Sequence, residues 1–193
     1  PAAAVIAAQE DGLARSLADM LGTPAFRLYG STDTIGVQLG GAAKNVIAIA
    51  AGVTIGAGLG ENARAALVTR GLAEISRLAL ALGGEAATVS GLSGMGDLLL
   101  TCTGTSSRNF RVGRALGEGL SPSEAEAAAG GVAEGVATSQ ALTELARRSQ
   151  VSVPVMEAVA AIVTGRALLK DVMEQLLARP LGPEIKMPDA FSR

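Results

Sequence analysis

The chain has 193 residues, 49% of them hydrophobic but only 2% aromatic, so its core must be built from Ala, Leu, Val and Ile, a mix that favours closely packed helices. A net charge of −2 leaves no electrostatic footprint for nucleic acid or an anionic membrane. The lack of histidine and the single cysteine, Cys102, exclude the usual zinc and copper ligand sets and any internal disulfide, and fit a reducing compartment.

Residues 2–8 form a short apolar run of strand length. A helix is expected over 10–21, with Leu13, Leu17, Met20 and Leu21 at helical spacing. Gly22, Thr23 and Pro24 break it, and 25–29 reads as a second strand. Strand–helix–strand is the end of a βαβ pattern, yet two strands alone do not make a stable parallel sheet. The expectation is an α/β domain cut short on its N-terminal side, of which residues 1–30 are the end. The opening PAAAVIAAQEDG carries no basic leader and no cleavage pattern.

From Ser31 onward no further strand is predicted. Ser31, Thr32 or Asp33 can cap a long helix running to about Gly58. The uncharged run 46–59 is shorter than the ~20 residues of a membrane span. Gly52, Gly56 and Gly58 interrupt it, so it reads as a buried helix. A second helix is expected over 61–82, with Ala66, Ala73 and Leu80 on one face and Gly83-Gly84 as its stop. Shorter helices follow over 95–100, 109–116, 133–149 and 154–164. The amphipathic segment 168–177 is closed by Pro180. Residues 31–184 thus read as one all-helical domain, and 185–193 as a polar tail that frays.

Lys44 is the only charged residue between Asp33 and Glu61. An ammonium buried among small apolar residues needs a tight polar partner or gives up its charge, and proteins accept that cost mostly where the amine does chemistry. Gly40 and Gly41, one turn earlier, let a backbone or ligand come close. Asp97 and Thr101 are four apart and share a helix face. Two readings of Asp97 stand side by side: a carboxylate that orients the lysine, or a simple helix cap. Arg108, Arg111 and Arg114 recur at a helix start preceded by Ser106 and Ser107, where amides and an arginine make an anion site suited to phosphate. Arg108 takes that role, and Arg111 and Arg114 read as ordinary solvated arginines. Glu134, set among small residues in GGVAEGVATSQ, either borders a ligand or starts a helix. The GAG and GMG strings follow no strand and are not dinucleotide fingerprints.

Taken in order, IGVQLGGAAKNVIAIAAG, GLGENARAALVTRGLAEISRLALALGG, GLSGMGDLLLTCTGTSSRN and GGVAEGVATSQAL resemble the bacterial type of NAD(P)-dependent glycerol-3-phosphate dehydrogenase, from the first residues to about Glu184. The resemblance implies a mainly α fold, an all-helical domain like the C-terminal domain of 6-phosphogluconate dehydrogenase, preceded by the last strand–helix–strand of a Rossmann domain. It implies cytoplasmic reduction of dihydroxyacetone phosphate to sn-glycerol 3-phosphate for phospholipid synthesis, with NADP or NAD as cofactor and no metal. It also implies a role for each matching residue. Lys44 exchanges the proton with the C2 oxygen. Asn45, Asp97, Thr101, Ser107, Arg108 and Asn109 surround the substrate. Arg108, Val132 and Glu134 touch the cofactor from the helical side.

The family's Gly-rich phosphate loop, its second site lysine and its Gly-Pro-Ser/Thr-Phe segment would lie before Pro1, so these 193 residues alone are expected to be inactive. Two other readings remain. One is the substrate domain of another Rossmann-type dehydrogenase, acting on a 2-hydroxy acid or sugar phosphate. The other is a helical oligomerisation module, with a homodimer as the partner state.

Overall fold

The computed structural model describes residues 1–178. β1 (Ala2–Ala7) and β2 (Phe26–Ser31) pair in parallel, Ala2 opposite Phe26 and Ala7 opposite Ser31, with α1 (Asp11–Leu21) as the crossover. α1 buries Ala14 and Ala18 rather than its leucine stripe. Ala14 packs under Gly30, where an added Cβ would lie 3.3 Å from the alanine methyl. Leu13, Met20 and Leu21 are left exposed.

The rest is built around α2 (Thr34–Gly56), a 23-residue helix. Asp33 caps it, its carboxylate accepting from the Gly36 amide at 2.7 Å and the Glu85 amide at 2.8 Å. Burial disfavours that carboxylate's charge. Hydrogen bonds from Gly36, the Thr88 side chain, Glu85 and Ile35 outweigh burial and hold its pKa below the ordinary value. By length and composition α2 is long enough to cross a membrane, which the shorter count over 46–59 did not anticipate. Yet 67% of its apolar window is buried inside the fold. It packs against α3 (Gly60–Ala81), α5 (Asp97–Thr103), α6 (Arg108–Gly117), α8 (Glu134–Arg148) and α9 (Pro154–Val163).

Of the three glycines expected to interrupt the run 46–59, Gly52 and Gly56 lie within the continuous helix as contact points, while Gly58 lies past its end with nothing within 4 Å of its Cβ position. A Cβ at Gly52 would lie 2.1 Å from the Phe110 carbonyl oxygen, and one at Gly113 only 1.9 Å from that of Ile49. The α2 and α6 backbones therefore touch, which is why this core is made of small residues.

α3 corrects the expected apolar face. Its buried stripe is Gly71, Glu74, Ile75, Leu78 and Ala79, while Ala66 and Leu80 face outward. Gly71 decides the rotation, because the Ile47 side chain occupies the place of its missing Cβ. Glu74, 2% exposed, reaches across to α9 and accepts from the amides of Val155 at 2.7 Å and Met156 at 3.2 Å. The α9 N-cap, Val153, offers no side-chain cap, so the carboxylate of another helix supplies it.

Two short helices, α4 (Ala86–Val89) and α7 (Pro122–Ala128), were not anticipated. A π-helical turn, Leu92–Gly96, leads directly into α5, so the helix expected over 95–100 is in fact two segments. α10 (Leu169–Leu177) matches the amphipathic segment. The expected stop at Pro180 and the tail 185–193 lie outside the described residues.

Candidate active site

Lys44 sits midway along α2 and donates from Nζ to Asp97 Oδ2, at the first residue of α5. The packing that makes this contact starts one turn earlier. At Gly40 a Cβ would lie 2.5 Å from the Ser93 carbonyl oxygen, so the π turn presses onto α2 and carries Asp97 to the lysine. Gly41 has nothing within 4 Å of its Cβ position and opens instead onto a second cleft of about 480 Å³, shared with Val5, Val37, Ser93 and Asp97. The Lys44 and Asp97 side chains are 24% and 33% exposed. The lysine is thus not sealed among its apolar neighbours. Its nitrogen reaches a polar partner at a cleft edge, where a proton can pass to a bound molecule and be replaced from water.

That cleft holds about 350 Å³ and is lined by Lys44, Asn45, Leu100, Thr101, Ser106, Ser107, Arg108, Asn109 and Glu134. Of the nine residues singled out from the sequence, seven line it, Asp97 stands at its edge beside Lys44, and Val132 is set apart. The Val132 side chain is 72% exposed, while its carbonyl oxygen accepts from Arg108 Nη1 at 3.2 Å. Thr101 stands one turn after Asp97 and donates its hydroxyl hydrogen to the Asp97 carbonyl at 2.6 Å. Ser107 is the N-cap of α6, its Oγ accepting from the Phe110 amide at 3.2 Å. The cleft therefore ends at a ten-residue helix N-terminus with Arg108 at its first position, a combination that favours anions.

Asn109 is only 8% exposed, and both ends of its amide are engaged. Nδ2 donates to Asn45 Oδ1 at 2.9 Å, and Oδ1 accepts from the Gly135 amide at 2.9 Å. Asn45 Nδ2 in turn donates to Glu134 Oε2 at 3.4 Å. This chain of amides ties α2, α6 and the start of α8 together behind the cleft and fixes where Asn45 and Glu134 point. Sequence reasoning missed Leu100 and named Ser106 only as a residue preceding the helix start, although both line the cleft. It also misread Arg111, which is not a solvated side chain but donates to three backbone carbonyls. Arg114 pairs with Glu118 at 2.8 Å on the exposed face, as an ordinary surface arginine does.

A parallel βαβ unit thus leads into a helical bundle that carries a lysine–carboxylate pair beside an anion-favouring cleft. Residues 33–174 match the family model described as NAD-dependent glycerol-3-phosphate dehydrogenase C-terminus. The chain belongs to that family. It is 55% identical over 180 residues to glycerol-3-phosphate dehydrogenase (NAD(P)+) of Gluconobacter oxydans, covering 93% of this chain and 56% of that protein. Against the Cereibacter sphaeroides enzyme of the same name the identity is 53% over 185 residues, 95% of this chain and 59% of the relative. The crystal structure of glycerol-3-phosphate dehydrogenase from Coxiella burnetii superposes with a TM-score of 0.86 at 41% identity, over 93% of this chain and 55% of that one. The chain thus spans a little over half the length of the relatives it matches.

Proposed function

We propose that this chain forms the substrate side of an NAD(P)H-dependent reduction of dihydroxyacetone phosphate to sn-glycerol 3-phosphate, a reaction that runs in both directions. The observation that carries the proposal is the Lys44–Asp97 pair at one end of a cleft whose other end is the α6 N-terminus with Arg108. A substrate with a ketone and a phosphate a few bonds apart fits those two ends.

Phosphate lies against Arg108, Ser106, Ser107 and the α6 amides, which bind it far from the reacting carbon and so orient the ketone. The Lys44 ammonium faces the carbonyl oxygen, stabilises the negative charge that develops there and donates its proton to give the alcohol. Asp97 accepts from the ammonium and holds it in place. Asn45, fixed by Asn109 and facing Glu134, completes the wall beside the reacting carbon. In the oxidative direction the neutral lysine amine accepts the same proton.

The dinucleotide supplies the hydride when bound. The residues present fit one end of it: Arg108 has no carboxylate partner among the described residues, Val132 is an exposed apolar side chain, and Glu134 offers a carboxylate to an amide. They do not fit its pyrophosphate. The turn from β1 into α1 carries Gln9, Glu10 and Asp11 where a phosphate-binding turn needs glycine and bare amides. The rest of the dinucleotide site is therefore assigned to the additional length that the relatives possess. The buried free thiol of Cys102 is in keeping with a cytoplasmic setting.

The test is cofactor oxidation by the full-length protein containing this chain, with dihydroxyacetone phosphate against unphosphorylated dihydroxyacetone, and with NADH against NADPH. Strong preference for the phosphorylated ketone supports the reading. Equal turnover of both ketones, or turnover of an unrelated 2-oxo acid in their place, refutes it.

A further inference from the structure

Arg111 lies outside the cleft, one turn after Arg108 on α6, and ties down two loops at once. Its Nη1 donates to the carbonyl oxygens of Thr105 and Ser106, both at 3.0 Å. Its Nη2 donates to the Ala129 carbonyl at 3.0 Å. The first two carbonyls belong to the turn that presents Ser106 and Ser107 to the cleft. The third stands at the end of α7, where Gly130 and Gly131, both at positive φ, lead to Val132 and Glu134. Arg108 holds the same connection further along, at the Val132 carbonyl. The two glycines leave that connection little stiffness of its own, so its position depends on these two arginines.

A planar guanidinium presents its donors in a fixed fork, so this one side chain holds carbonyls of two separate segments at a set spacing. We propose that Arg111 is a positioning residue that sets the spacing between the Ser106–Ser107 turn and the Val132–Glu134 connection, and thereby the width of the cleft's phosphate end. The proposal rests on the functional reading above for its substrate, but not for its geometry. It also accounts for a charge that meets only neutral carbonyls: among the described residues no ion pair involves Arg111, so its positive charge remains to support an anion at the neighbouring helix N-terminus.

The test uses Arg111→Lys and Arg111→Met in the full-length protein. Lysine keeps the charge and much of the length but lacks the fork. Both variants are expected to raise KM for dihydroxyacetone phosphate, about ten-fold for lysine and more for methionine, with kcat within about three-fold of wild type, because the phosphate contacts are remote from Lys44. A merely structural arginine would instead lower the melting temperature and the active fraction with KM unchanged. Hydrogen exchange gives a readout independent of activity. The Ser107 amide, bonded to Gly104, and the Gly130 and Gly131 amides, bonded to Ala127 and Glu126, are expected to lose protection together in both variants. Wild-type KM in Arg111→Lys, or protection unchanged in either loop, overturns the proposal. If the wild-type protein does not reduce dihydroxyacetone phosphate, the functional reading falls, and the exchange measurement alone decides the clamp.

Discussion

Replacing Glu74 with glutamine should change how stability depends on pH more than it changes stability itself. The Glu74 carboxyl is 2% exposed, and burial pushes its pKa from 4.5 up to about 7, against the opposing pull of the Val155 and Met156 amides and of Arg77, with Glu157 adding to the rise. Between those values the folded protein holds a proton that the unfolded chain has released. Stability is therefore fully supported below pH 4.5 and declines as the pH rises to about 7. That span, at about 1.4 kcal/mol per pH unit, is worth roughly 3 kcal/mol. Glutamine cannot titrate and keeps an acceptor for the α9 amides. The difference in unfolding free energy, Glu74→Gln minus wild type, should therefore move by roughly 3 kcal/mol in favour of the variant between pH 4.5 and pH 8. Urea unfolding of both proteins at four pH values measures it. A difference that stays flat within about 0.5 kcal/mol would refute the claim that burial outweighs the two amides.

Gly113→Ala should cost about 3 kcal/mol or more by thermal or urea unfolding, since its Cβ would meet the Ile49 carbonyl and backbone must move. Gly41→Ala, where nothing lies within 4 Å, should instead raise stability by up to about 1 kcal/mol. Asp33→Ala should cost about 1–2 kcal/mol through the lost cap. Because the Asp33 pKa is lowered, the wild-type advantage should hold above pH ~4 and vanish as the pH falls below that; an advantage unchanged at pH 2 would count against the cap.

Much of the architecture was legible because it rests on local signals. Asp33 before an apolar run, Pro154 at a helix start and the Gly83-Gly84 stop each mark a boundary through backbone chemistry that acts within a few residues. The α7 boundary was equally readable, since Ser121, Pro122 and Glu124 form a capping box with proline at the first turn, and it was overlooked. α4 has four residues, too few to show a periodicity. The direction of α3 was misjudged because its packing is set by Ile47 on another helix, which no pattern within α3 can reveal.

In the site, Lys44 stood out as a lone charge and Asp97 as a candidate partner 53 positions away. Its exposure, however, depends on how the π turn meets Gly40. The Asn45–Asn109–Gly135 chain and the Arg111 clamp join segments distant in sequence through ordinary polar residues, which carry no local mark of what they hold.

Lys44 as the proton donor is the centre of this account. Steady-state reduction of dihydroxyacetone phosphate by the full-length protein, wild type against Lys44→Met, with substrate binding followed separately by calorimetry, tests it most directly. The account predicts a fall in kcat of about 10²–10⁴, with substrate affinity changed by less than about ten-fold because the phosphate contacts remain. Undiminished turnover in Lys44→Met would contradict it and place the proton donor elsewhere.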